Sequence, residues 1–175
     1  MATETLVPDG TVFTLTQLSG NVGDVDNTIA SADGVFLTNQ ETNGNTPTVL
    51  ASFPTASGDL STGVNQAFRA RVGKDATGGN NPQFTIAVID NGTTLSSSTF
   101  TATDTVSNFS LTWDAGNFTL SDGAGANLEI QVSQSTGGTG RGANRRWIEI
   151  DELEWNVEYE VAVGGAAVTQ AILIW

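Results

Sequence analysis

The side chains with the greatest capacity for chemistry are carboxylates crowded near the C-terminus. The chain carries 19 Asp and Glu against 6 Lys and Arg, and six of the carboxylates fall between positions 149 and 160. A glycoside hydrolase needs two carboxylates across a cleft, one with its pKa raised by burial. Glu154, Glu158 and Glu160 instead share one parity of an alternating segment. This spacing predicts a solvated outer face of a strand, not a catalytic pair.

The sequence contains no His and no Cys, and Lys74 is its single lysine. Ser-His-Asp and Cys-His nucleophiles, disulfides, haem ligation and Cys/His zinc sites are therefore excluded. Asp24-Val25-Asp26-Asn27 offers oxygen ligands for calcium, but EF-hand spacing does not follow. We predict a protein that is not an enzyme and uses no cofactor.

Charge and hydropathy restrict the partners. A net charge of −13 disfavours nucleic acid and anionic membranes as partners. No apolar run approaches the roughly 18 residues that a membrane span needs. The first ten residues, MATETLVPDG, lack the basic and apolar regions of a secretory signal, so we expect synthesis in a cytoplasm.

The element that must carry the carboxylates is the segment Trp147 to Val163. From Leu153 onward, apolar and polar residues alternate, which is the pattern of a half-buried β-strand. The parity of Ile148 and Ile150 is the opposite one, so the phase slips at Asp151-Glu152. This slip predicts a β-bulge within one long strand.

The rest of the chain shows short alternating segments separated by Gly, Asn and Pro turns, without a helical pattern of useful length. Asn91-Gly92 lies between two such segments and predicts a type I′ hairpin turn. The count is roughly nine or ten strands, which indicates an all-β antiparallel sandwich or barrel. Trp113 and Trp155 have inward parity, which favours core positions over a sugar-stacking platform.

We divide the chain into an N-terminal arm (1–10), a β-sandwich (11–163) and a Gly-Gly hinge with an apolar C-terminal arm (164–175). An apolar tail in water is an aggregation hazard, so it must be buried. Two alternatives remain open: the tail folds onto its own sheet, or it docks on a neighbouring subunit. The predicted docking residues are Val168, Ile172, Leu173, Ile174 and Trp175.

The basic residues give two further predictions. Arg69 and Arg71 lie on the outer face of one strand and would pair with the glutamates on the polar face of the last strand if the two strands are neighbours. Four other basic residues lie in or beside two Gly-rich loops, and they form a possible contact surface for an acidic partner if the loops share one end of the sandwich. They are Lys74, Arg141, Arg145 and Arg146.

Several blocks occur in an order that resembles a known family. They are AFRARVGKDATGG, FTIAVIDNGTTL, FSLTW, NLEIQVS and, after a Gly-rich loop, NRRWIEIDELEWNVE, and they run from about Ala67 to Tyr159. VDNTIASADGVFLT, at positions 25–38, is weakly similar to the early region of the same family. The family is a group of jelly-roll proteins, encoded among the structural genes of tailed bacteriophages, that lie on the surface of heads or tails. The chain departs from it by adding VGGAAVTQAILIW at the C-terminus.

The resemblance implies a jelly-roll sandwich and a non-enzymatic virion protein made in the host cytoplasm. The first expectation is a decoration or cement protein on the outside of a phage head, bound to the major capsid protein and to copies of itself. A phage tail or fibre subunit is one alternative. A carbohydrate-binding module, with a glycan as its partner, is the other.

Overall fold

A computed structural model describes residues 1–39, 46–136 and 146–161, and over these ranges the regular structure is β-strand with three single 3₁₀ turns. The alternating segments predicted from the sequence form most of these strands. The strands are β1 (Ala2–Leu6), β2 (Phe13–Thr16), β3 (Leu18–Ser19), β4 (Thr38–Asn39), β5 (Thr48–Ser52), β6 (Asn65–Lys74), β7 (Gln83–Asp90), β8 (Thr93–Thr101), β9 (Ser107–Asp114), β10 (Leu128–Thr136) and β11 (Ile148–Tyr159). The 3₁₀ turns are Val22–Asp24, Ile29–Ser31 and Ala115–Asn117.

The strands form two large antiparallel sheets. One has four strands in the order β1-β11-β6-β9, and the other has five in the order β2-β5-β10-β7-β8, while β3 and β4 form a separate pair. From β5 onward the chain crosses repeatedly between the two sheets, and this connectivity is jelly-roll-like. The predicted antiparallel sandwich is confirmed, with nine strands in its two main sheets.

The core lies between the sheets and is rich in aromatic side chains. Phe68 stacks on Trp155, with their ring centroids 5.2 Å apart, and it also stacks on Trp113 at 6.3 Å. Phe53, which directly follows β5 of the other sheet, packs against Phe68 with the two ring centroids 5.5 Å apart. The core positions predicted for Trp113 and Trp155 are confirmed, since both side chains are buried.

Two local predictions are also confirmed. The pairing of β11 with β6 shifts register between Ile150 and Glu152, where the sequence predicts the bulge. Asn91 and Gly92 have φ values of +46° and +79°, so both central residues of the β7–β8 turn are left-handed, as a type I′ turn requires.

The N-terminal segment differs from the predicted arm. Residues 2–6 form β1, which pairs along β11 from Ala2 opposite Tyr159 to Leu6 opposite Trp155. Five residues give too short a pattern to predict a strand, and the partner is about 150 positions away in the sequence. The predicted hinge and apolar arm (164–175) lie outside the described residues.

Candidate functional site

The polar face of β11 is covered at Glu154, where the sequence predicted a solvated surface. Glu152 is 0% exposed and Glu154 is 3% exposed. Leu37 exchanges backbone hydrogen bonds with Ile150 (2.7 and 3.2 Å), and the carbonyl of Val25 accepts from the Leu153 amide at 3.2 Å. The segment 25–37 therefore extends the sheet edge beyond β1 and also folds over the outer face.

The covering segment binds the carboxylates directly through its backbone. The N–H of Asn27 donates to Glu152 Oε2 at 3.0 Å, and the N–H of Ile29 donates to Glu154 Oε2 at 2.9 Å. A buried carboxylate requires such donors, because desolvation penalises its charged form. The prediction of a solvated wall is thus wrong for Glu154, whereas Glu158 is half-buried and Glu160 is exposed.

The arginines of β6 meet carboxylates of β11. The predicted pairing with the glutamate face is confirmed for Arg69, whereas Arg71 pairs with Asp151 of the bulge. Arg69 Nη1 lies 2.5 Å from Glu154 Oε1, and Arg71 forms an ion pair with Asp151. Both arginine side chains are about a third exposed, while the two carboxylate side chains are buried. These pairs are therefore partly buried contacts rather than the exposed pairs that the sequence suggested.

Three carboxylates converge at the bulge. Asp33 comes from the covering segment, and Asp151 and Glu152 are the bulge residues of β11. One oxygen of each lies within 4.8 Å of the others. Burial raises the pKa of Glu152 to about 7, and the charge of Asp33 adds to this effect, against backbone hydrogen bonds that lower it. Oxygen ligands at this spacing are the kind that a hard cation binds.

A shallow polar groove runs along the outer face of the four-stranded sheet, and sequence reasoning missed it. It consists of two adjoining depressions of about 520 and 460 Å³ that share Thr5 and Asn156. Its polar lining includes Thr3, Asn65, Arg69, Asn108 and Glu158. These residues are outward positions on four strands, so only the pairing of β1 with β11, of β11 with β6 and of β6 with β9 brings them together.

The predicted basic contact surface lies partly within the described residues. Lys74 is buried, with its side chain 1% exposed, and its Nζ binds Asp104 Oδ1 at 2.8 Å and the carbonyl of Gly78 at 2.9 Å. Arg146 Nε donates to the carbonyls of Ala76 (3.1 Å) and Gly78 (2.9 Å). Lys74 and Arg146 therefore meet at one end of the sandwich, where both hold the loop after β6.

The other residues of the predicted sites cannot be placed. Arg141 and Arg145 of the basic surface lie outside the described residues, as do Val168, Ile172, Leu173, Ile174 and Trp175 of the docking arm. The contact surface and the docking arm both stay predictions. At the calcium site considered from the sequence, the carboxylate of Asp24 is engaged locally. Its Oδ2 accepts a hydrogen bond from the Asn21 N–H at 2.9 Å.

Comparisons with known proteins address the fold. No family model matches the sequence, and no curated protein does. A family 35 carbohydrate binding module from an environmental isolate superposes with a TM-score of 0.46 and 15% identity, covering 87% of this chain and 91% of the module. Dimeric latent PorU from Porphyromonas gingivalis superposes with a TM-score of 0.42 and 13% identity, covering 90% of this chain and 13% of PorU. Superpositions this distant transfer no function.

No helix in the described part of the chain is long and apolar enough to cross a membrane.

Proposed function

We propose that this chain is a non-enzymatic virion protein that decorates the outside of a phage head and stabilises it through subunit contacts. The observation that carries the proposal is the agreement between the sequence resemblance and the sandwich. FSLTW falls in β9, and most of NLEIQVS falls in β10. The remaining blocks cover most of β6, β7 and β11, together with the β7–β8 turn and the start of β8. The blocks that resemble the phage family are thus the strands of one body.

The chemistry of the described residues supports a structural role. Asp151 and Glu154 are tied to arginines, Glu152 to a backbone amide, and Lys74 to the loop after β6. Groups engaged in this way hold segments of the chain in place. A carboxylate pair for glycoside hydrolysis would instead flank an open cleft.

The proposed partners are the major capsid protein and other copies of this chain. The arm 164–175 would supply the contact, because an extended segment gains main-chain hydrogen bonds when it adds to a neighbour's sheet. Burial of an apolar side chain contributes about 1.5–3 kcal/mol, before the cost of ordering the arm. Repetition over a symmetric shell turns a modest contact into a strong one.

The proposal is tested by locating the protein in particles. Heads and tails purified separately from the virus that encodes this chain would be compared by quantitative mass spectrometry. The expected result is a stoichiometric signal in tailless heads, lost when the gene is deleted. A signal confined to tails would replace the head proposal with the tail or fibre alternative, and absence from both fractions would overturn the virion assignment.

The polar groove is the one observation that favours the carbohydrate-binding alternative. Its Thr, Asn and Glu side chains could hydrogen-bond sugar hydroxyls. Sugars usually stack on tryptophans, but the three tryptophans within the described residues, at positions 113, 147 and 155, are buried. A glycan array tests this alternative, with Asn156→Ala as the groove variant and Ser97→Ala on the opposite sheet as the control. Specific binding that Asn156→Ala alone abolishes would support a glycan partner.

A further inference from the structure

The carboxylate cluster at the β11 bulge has unused oxygens. Asp151 and Glu152 are both 0% exposed, yet Asp151 Oδ1 and Glu152 Oε1 have no hydrogen-bond partner. The remaining oxygen of each is engaged: Glu152 Oε2 accepts from Asn27, and Asp151 Oδ2 faces Arg71. A buried carboxylate oxygen without a partner carries a desolvation cost that a native fold normally avoids.

The charges at the cluster do not balance. When all three are ionised, Asp33, Asp151 and Glu152 bring three negative charges, and Arg71 is the cation that the described residues place in contact with them. Two negative charges are left uncompensated, which corresponds to one divalent cation. Arg69 does not fill this role, because its guanidinium is paired with Glu154.

We propose that Asp33, Asp151 and Glu152 form a calcium site that fastens the covering segment onto the last strand. One oxygen from each carboxylate lies within 4.8 Å of the others, so a single ion can reach all three. The ligands are hard oxygens, which suits calcium and magnesium and not zinc or copper. Asp33 is exposed, so water can complete the coordination from that side.

The geometry favours calcium over magnesium. Calcium accepts six to eight oxygens in irregular arrangements, whereas magnesium demands a near-ideal octahedron and gives up its water reluctantly. Here two ligands are adjacent residues of a bulge and the third comes from a distant loop. Arg71 also occupies one side of Asp151, which leaves an irregular arrangement. The proposal does not depend on the proposed virion function.

The test is calcium binding to the full chain after treatment with EDTA and dialysis. Calorimetry should show saturable binding, and calcium at about a hundredfold excess over its Kd should raise the Tm by about 5–10 °C. Asp33→Asn should abolish both signals, and since its side chain is at the surface this variant should fold. Glu152→Gln should also abolish them.

The matched control is Glu160→Gln, which removes the same charge from an exposed position just beyond β11 and should bind calcium like the parent chain. No heat and no rise in Tm up to about 10 mM calcium, above the range of the weakest protein sites, would overturn the proposal. So would undiminished binding by Asp33→Asn. An equal response to magnesium would also overturn it, because it would indicate general screening of the −13 charge.

Discussion

At the scale of single residues, the arginines of β6 determine whether the outer face of the last strand can be buried. Arg71 faces Asp151, and Arg69 faces Glu154, across the β6–β11 pairing. Removing one partner of a buried pair is more costly than the pair is worth, because it leaves an uncompensated charge in a poor solvent. The two arginines therefore act mainly by compensating the negative charge of the buried carboxylates.

We expect Arg71→Met to lower the free energy of unfolding by about 3 kcal/mol, the lower end for a broken buried pair because the guanidinium is partly in solvent. Met keeps an apolar stem of similar length, so the loss reports mainly the charge. Urea unfolding followed by tryptophan fluorescence measures the effect. The double variant Arg71→Met/Asp151→Asn should recover part of the loss. A cost below about 0.5 kcal/mol would show that the pair behaves as an ordinary surface contact.

Asp104 gives a prediction for acid stability. A hydrogen bond from the buried Lys74 ammonium, with a second from the Gly78 amide, lowers the pKa of Asp104 below its ordinary 3.8. A carboxylate whose pKa is lower in the folded state stabilises the fold above its unfolded pKa, and that contribution disappears as the pH falls through the folded value. Asp104→Asn should therefore be less stable than the parent at pH 6, and the difference should shrink below about pH 3.8.

Thermal unfolding at a series of pH values from 2 to 7 measures this difference. Glu160→Gln is again the control, since its side chain is exposed and its curve should follow the parent throughout. A gap between Asp104→Asn and the parent that stays constant down to the lowest pH would contradict the assigned cause.

At the scale of elements, β1 has a larger role than its five residues suggest. It covers one edge of β11, and Glu4 accepts hydrogen bonds from the amide and the hydroxyl of Ser57, both at 2.8 Å. Thr5 also bonds Asn156 at 2.9 Å. The N-terminal segment therefore closes an edge that would otherwise expose unpaired backbone groups.

Deleting residues 2–6 should lower the free energy of unfolding by roughly 2–4 kcal/mol, from the lost burial of Leu6 and the lost hydrogen bonds of Glu4. The uncovered edge of β11 should also promote association that depends on concentration. Urea unfolding and light scattering measure the two effects. A shortened chain that stays monomeric with an unchanged midpoint would mean that β1 contributes little to the sandwich.

At the scale of the whole molecule, the strands that the structure describes all lie before position 160, and the predicted docking arm follows them. Truncation after Val163 should therefore leave the Tm unchanged and abolish binding to particles. Co-sedimentation with capsids that lack the protein measures the binding. A full-length variant with Ile172, Leu173 and Ile174 changed to Ser separates apolar burial from chain length and should also fail to bind.

If the truncated chain does not fold, the tail belongs to its own sheet, and the docking role assigned to it is wrong. If it folds and binds particles as well as the parent, the contact lies elsewhere on the sandwich. The basic end near Arg146 would then be the next surface to test, by reversing Arg145 and Arg146 to Glu.

Period-two alternation predicted which residues face inward in the strands that carry Trp113 and Trp155, so the core positions of these two side chains follow from the sequence. The parity slip at Asp151-Glu152 predicted the bulge in β11, and Asn91-Gly92 predicted the turn between β7 and β8. These features are local, since they depend on backbone geometry within a few residues.

The tertiary structure alone decided what covers the last strand. Alternation tells which side of a sheet a glutamate faces, but not whether another segment lies over it. The segment 25–37 has no periodic pattern, yet its backbone amides donate hydrogen bonds to the buried carboxylates of Glu152 and Glu154. Its Asp33 also joins Asp151 and Glu152 in the carboxylate cluster. The pairing of β1 with β11 likewise joins residues about 150 positions apart. Such contacts depend on which parts of the chain meet in space, and no local pattern records that.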